Sequence, residues 1–358
     1  MTRWLRGGGG GLLIVAVGLM AACSSKPSVP AWEAANPIEP LPTPPLGINS
    51  TFSELKDPPT PARVRLGRWL YFDPRLSKDG TVSCATCHVP ADGFSMRTAV
   101  ATGIRGQQGT RKPPSFVNEA WTLYPFFFWD GRAASLEEQA LGPIANPVEM
   151  GNTHAVMVQT LEQVKGYAPY FQEAFGTPGI TKERVVHAIA DFERTVMSGN
   201  SPYDRWRVNH DESAVSDAVK RGYALFFGKA ECSQCHLGDN FTDSRFHNIG
   251  IGWDAATKTF KDEGRYAISH QDADRGAFKT PMLRDVALHP PYMHDGSEAT
   301  LEDVVEHYNK GGQPNPWLDP KIRPLHLTDE EVHDLVAMMK ALTGDTRTST
   351  KVVTSFPQ

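Results

Sequence analysis

The sequence predicts an all-α fold of two tandem domains with little or no β-structure, and three observations lead there. A Cys-x-x-Cys-His run occurs twice, at Cys84, Cys87 and His88 and again at Cys232, Cys235 and His236. A related apolar stretch precedes each: Leu66-Gly67-Arg68-Trp69-Leu70-Tyr71-Phe72 before the first, Arg221-Gly222-Tyr223-Ala224-Leu225-Phe226-Phe227 before the second. Elsewhere the apolar residues recur at helical rather than strand spacing, between abundant Gly and Pro that shape loops.

Cys-x-x-Cys-His is the attachment signature of c-type haem. Two thiols one helical turn apart reach the two vinyl groups on one haem edge, and the next residue places an imidazole under the iron. The other readings are a structural zinc site or disulfides. Zinc would not need a histidine directly after the second cysteine in both copies, and a redox Cys-x-x-Cys would be expected once, in a strand–helix context. Four of the five cysteines fall within the motifs, so two copies mean two covalently bound haem c groups. Aligning Gly67 with Gly222 also aligns Leu70 with Leu225, and Tyr71 and Phe72 with Phe226 and Phe227, a weak internal repeat. A helix with a small residue for close crossing and aromatics for the haem wall, just ahead of the motif, is how a cytochrome c domain begins. The fold class is therefore two tandem cytochrome c-like domains.

In chain order, Arg3 and Arg6 precede an apolar run over 12–20, and Met20-Ala21-Ala22-Cys23 reads as a lipoprotein cleavage box. The run is too short to span a bilayer comfortably. Residues 1–22 are thus expected to be a signal peptide, leaving Cys23, the one cysteine haem does not use, to carry lipid. An ordinary signal peptide with a coincidental cysteine is the alternative. Export suits c-type haem, which bacteria attach outside the cytoplasm, so the expected location is periplasm-facing, held to a membrane through the lipid anchor only. A net charge of −5 gives no basic footprint, which excludes nucleic acid as a partner. Residues 24–48 are rich in Pro, Ser and Ala without apolar periodicity, so 23–54 reads as a flexible tether.

The folded part is expected from Leu55, with a first helix over 62–72. Ser135 and Glu138 form a capping box opening a helix at Leu136, and Thr181 opens another with Val185, Ile189, Phe192 and Val196 on one face. Residues 198–202 mark a boundary between a first haem domain, 55–200, and a second, 201–345, followed by a tail, 346–358. In the second, Thr300 and Asp303 cap a run with Leu301, Val304, Val305 and Tyr308 on one face, and Thr328 and Glu331 cap Val332, Leu335, Val336 and Met339.

From about Leu66 to Gly344 the chain resembles the bacterial di-haem cytochrome c peroxidase family, which includes MauG. The anchors are Leu70-Tyr71-Phe72-Asp73-Pro74-Arg75-Leu76-Ser77, Trp129-Asp130-Gly131-Arg132, Gln139, Asn146-Pro147-Val148-Glu149-Met150, Phe246-His247-Asn248-Ile249-Gly250 and Pro291-Tyr292-Met293-His294-Asp295-Gly296. The resemblance implies that the haem on His88 reacts with hydrogen peroxide, with Glu149 as the acid–base carboxylate and Gln139 ordering water or peroxide beside it. One carboxylate can move the single proton that heterolysis of the O–O bond requires. It implies also that Trp129 lies between the haems and supports electron transfer, and that the haem on His236 serves electron transfer. Without the resemblance, Glu149 is a loop carboxylate and Trp129 a core residue.

Three departures from the usual family pattern carry information. Where a methionine ligand to the second iron is usual, Tyr308 stands, as in MauG. Periodicity agrees, because Tyr308 lies on the apolar face and His307 on the polar side, though a core tyrosine remains the plain alternative. The loop over 102–109 contains no histidine to block the first iron, so that site should be open without prior reduction. Lys112 aligns with an asparagine ligand of the family's inter-haem calcium, and an ammonium cannot coordinate calcium. Calcium is left as a doubtful third cofactor, reachable only through backbone oxygens near His289 and Pro291. The electron source is expected to be a small redox protein, a cytochrome c or cupredoxin. A MauG-like enzyme would instead draw electrons from side chains of a protein substrate. A pure di-haem electron carrier would need a second strong ligand near His88, and the loop offers none.

Overall fold

The computed structural model describes residues 29–121, 126–347 and 351–358, with residues 1, 7 and 8. Cys23 and the apolar run of the leader lie outside the described residues. Among those described, no helix is long and apolar enough to cross a membrane.

The repeated stretch becomes the same packing unit twice. Helix Pro61–Phe72 starts with Pro at its first position, and the Thr60 hydroxyl accepts from Arg63 N. It crosses helix Lys182–Arg194 so closely at Gly67 that a Cβ there would sit 1.8 Å from the Ala188 carbonyl oxygen. Helix Asp217–Phe227 crosses helix Asp329–Lys340 in the same way, a Cβ on Gly222 falling 2.0 Å from the Asp334 carbonyl oxygen. The aligned glycines are therefore the crossing points of two helix pairs. Around the first pair Leu66, Leu70, Tyr71, Val185, Ile189 and Phe192 form one core; around the second, Phe226, Leu301, Val305, Val332, Leu335 and Val336 form another.

Helix Leu301–Asn309 and helix Asp329–Lys340 each open on the expected reciprocal capping box. The Ser135 cap differs: its hydroxyl accepts from Glu138 N at 3.1 Å, but the Glu138 carboxylate takes the N–H of Ala134, one residue upstream. Strand among the described residues is limited to two-residue antiparallel pairs, including Phe246–His247 with Phe278–Lys279 and Ser198–Gly199 with Thr346–Arg347.

Two segments outside the expected haem domains are docked onto the fold. Within 31–54, Trp32 packs edge-on to Trp69 and Tyr170 at 5.6 and 5.5 Å, and buried Asn36 donates to Arg65 O and accepts from Arg68. Farther along, Phe52 stacks on Trp121 and Gly47 O accepts from Arg284. A Pro-rich stretch without periodicity can still dock through single side chains, which corrects the tether expected over 23–54 from residue 31 onward. At the other end Val353 and Phe356 pack on the first core, and Gln358 O accepts from Gly166 N at 2.7 Å.

Candidate functional site

Each haem motif folds into a short turn that sets its histidine ring. Cys84–Cys87 is a single helical turn, with His88 N donating to Cys84 O at 3.0 Å; Cys232–Gln234 is a 3₁₀ turn, with His236 N donating to Cys232 O at 2.9 Å. His88 Nδ1 lies 3.1 Å from Phe94 O, and His236 Nδ1 2.9 Å from Phe241 O. A carbonyl only accepts, so Nδ1 carries the proton in both rings and Nε2 keeps the lone pair that a metal needs. Burial lowers both imidazole pKa values, keeping them neutral. The four motif cysteines are free thiols, and burial pushes Cys87 up to about 11 and Cys232 to about 12.

Both histidines line one cavity of about 2280 Å³, solvent at its mouth included. Its wall is mostly apolar, with Phe116, Phe128, Met282 and Val305 among the lining residues. Three side chains on it, Glu119, Glu193 and His289, carry buried polar atoms without a hydrogen-bond partner. Each such atom costs ~1–3 kcal/mol when left unpaired. A large flat group with an apolar body and a polar edge would satisfy this wall, and with free thiol pairs and two Nε2 atoms the residues fit haem c.

The cavity brings together Gln139, Trp129, Cys232, Cys235 and Tyr308 with the two histidines. Trp129 Nε1 donates to Lys112 O at 2.8 Å, and its ring meets His294 edge-on at 6.4 Å. Burial pushes the Tyr308 phenol well above its usual range, with the Cys235 and Cys232 sulfurs adding to the shift, so it lies beside the second motif. His307 instead turns its Nε2 to Ile249 O at 2.9 Å and does not line this cavity. Glu149 also stands off the cavity wall, near Cys87, whose thiol it helps to raise. Burial raises the Glu149 pKa, opposed by the charge of Arg132 and by a 2.9 Å bond from Asn146 Nδ2 to its Oε1. The histidine-free loop is seated on Glu149: Ile104 N donates to Glu149 O at 2.8 Å, and a Cβ on Gly103 would fall 2.0 Å from Val148 O.

Sequence reading missed Glu119 and Glu193, and named His289 only for a backbone oxygen. Burial raises the Glu193 carboxyl to about 8, Arg194 opposing and Glu137 and Glu119 adding, whereas burial and the charge of Lys112 lower His289 to about 4. Glu193 did have a signal, since it follows Ile189 by four residues on the apolar face of its helix.

A family model described as di-haem cytochrome c peroxidase matches residues 61–213. The methylamine utilization protein MauG of Methylorubrum extorquens is 45% identical over 292 residues, 81% of this chain and 80% of that protein. The cytochrome c551 peroxidase of Nitrosomonas europaea is 37% identical over 79% of this chain and 80% of its own. Among solved structures, a MauG-like protein associated with microbial copper homeostasis superposes with a TM-score of 0.75 at 30% identity, covering 85% of this chain and 94% of that one. The chain belongs to the di-haem cytochrome c peroxidase family, which includes MauG, and is a peroxidase-type oxidoreductase that works with haem c.

Proposed function

We propose that this chain reduces hydrogen peroxide at a haem held by Cys84, Cys87 and His88, with electrons passed through a second haem held by Cys232, Cys235 and His236. The observation that supports the reading is an asymmetry between the motifs: Tyr308, able to bind iron, lines the cavity beside Cys232 and Cys235, while near Cys87 stands Glu149, on which a loop without histidine is seated. When bound, the first haem would supply the two-electron reduction of peroxide and the second a store for electrons or oxidising equivalents.

The chain's own residues handle the protons and the route. Glu149 Oε1 is held by Asn146, which leaves Oε2 to take a proton from one peroxide oxygen and return it to the other. The raised Glu149 pKa brings the carboxyl nearer the operating pH, where such shuttling is most efficient. Gln139 on the cavity wall would orient peroxide or water, and Trp129, its N–H fixed on Lys112 O, would bridge the two centres. Tyr308 would hold the second haem's metal as a phenolate, the metal's charge offsetting the burial that otherwise keeps the phenol neutral. The reading carries over the expected periplasm-facing location, lipid attachment at Cys23, the haem-domain division 55–200 and 201–345, and a small redox protein as donor.

A second reading, oxidation of side chains on a partner protein, is favoured by Tyr308 in particular. A hard anionic ligand stabilises oxidised iron, which suits holding oxidising equivalents better than receiving donor electrons. Mixing the ferric wild type, Tyr308→Met and Tyr308→Phe with peroxide separates the two. A wild-type response without pre-reduction that is lost in both variants supports MauG-like use. A wild type inert until reduced removes it and leaves the ordinary peroxidase reading.

A further inference from the structure

Lys112 is 4% exposed, and its ammonium donates to the backbone carbonyls of Met96 and Thr98, the latter at 3.2 Å. Among the described residues no carboxylate lies within ion-pair distance of it, so a whole positive charge is buried on two carbonyl dipoles. A buried charge without a counter-ion is expensive, and a fold keeps one only where something depends on it. Burial draws its pKa down to about 8, with Asp92 pulling the other way, so the group is mostly charged at neutral pH.

The connections of this residue run to both sides of the cavity. Its ammonium pins residues 96–98, just after Phe94, whose carbonyl orients the His88 ring. Ser95 Oγ, on the same loop, donates to Pro113 O at 2.6 Å. Its own carbonyl accepts from the Trp129 indole, and its own N–H donates to His294 O at 2.8 Å. Its neighbour Arg111 bonds Asp130, next to Trp129, and Asp262, so the dipeptide clasps the Trp129 segment from both sides. Backbone carbonyls converging on one positive centre are what a bound metal ion would use.

We propose that Lys112 is a tethered internal cation, standing where a bound metal ion would otherwise be needed, that ties the His88 loop to Trp129 and lends its charge to both haem centres. A fixed positive charge in a low-dielectric wall disfavours the more positive, oxidised iron, so it raises the reduction potential of whatever iron is near. Lys112 is a positioning residue in this account. It rests on the proposed reading that His88 and His236 bind haem, which the ferric spectrum decides separately.

The test is a mediated redox titration of the haem-loaded protein, with chelator and with excess calcium. Wild-type potentials should be the same in both conditions. Lys112→Gln keeps side-chain donors for Met96 O and Thr98 O and keeps the backbone bond to Trp129, but removes the charge; the midpoints of both centres should fall, and Lys112→Arg should hold them near wild type. Equal potentials in Lys112→Gln and wild type would overturn the proposal, as would a wild type whose potentials shift when metal is removed. Should Lys112→Gln not load both haems, Lys112→Asn opens the carbonyl cradle to an added ion. Its potentials should rise with calcium, and indifference to calcium contradicts the cation site.

Discussion

The two halves share a frame and differ in the side chains set near each Cys-x-x-Cys-His motif. In each, two helices cross at a glycine, Gly67 against Ala188 O and Gly222 against Asp334 O. In each, the histidine of the motif gives its Nδ1 to a phenylalanine carbonyl five or six residues on, Phe94 or Phe241. Around the motifs they part. The first half sets a raised-pKa carboxyl, Glu149, beside a loop with no ligand; the second sets Tyr308 in the cavity. Scaffold and histidine orientation are thus duplicated, and under the proposed function the division of labour would reside in the few side chains that differ, Glu149 and Tyr308.

The largest effect that could break this comparison is chemical. Glu149→Gln should retain both haems and slow peroxide cleavage by about two to four powers of ten, the usual reach of acid–base catalysis, as read by rapid mixing. Unchanged rates would take Glu149 out of the mechanism and leave the first half without a distinguishing group.

Next is the shared frame. Gly67→Ala and Gly222→Ala each drive a Cβ into a backbone carbonyl, so each should destabilise by ~1–3 kcal/mol in denaturant unfolding of the loaded protein. If only one of the pair matters, the halves are not built alike.

The smallest effect sharpens a difference. His247 gives Nε2 to Asp243 at 2.9 Å and Nδ1 to Asp319 at 2.6 Å. Burial alone would lower its pKa, but bonds to Asp243, Cys235 and Asp319 hold it up at about 10. Were Cys235 a thioether, as haem attachment would make it, the two carboxylates would remain to keep it high. A raised histidine pKa contributes stability that is fully present below about 6.5 and is lost as pH rises toward 10. Unfolding midpoints should therefore decline over that window in wild type, and decline less in His247→Gln. Parallel profiles would show that the imidazolium does not matter to folding.

The parts of this arrangement that were legible in sequence are those written locally. The haem motifs, the Thr300–Asp303 and Thr328–Glu331 boxes and the small residues at Gly67 and Gly222 each announce themselves within a few positions. Trp32 against Trp69, Asn36 between Arg65 and Arg68, and the return of Val353 to the first core are long-range docks by single side chains, which leave no periodic trace. Lys112 is the sharpest case. Sequence showed that it could not bind calcium, but the role of its charge is visible only once Met96 O and Thr98 O are seen around it.

The central claim, one open iron and one closed by Tyr308, is tested most directly by titrating the oxidised, unreduced protein with cyanide and counting equivalents bound per chain. The account predicts one equivalent in wild type and two in Tyr308→Ala. No binding in the wild type before reduction, or still only one equivalent in Tyr308→Ala, would contradict it.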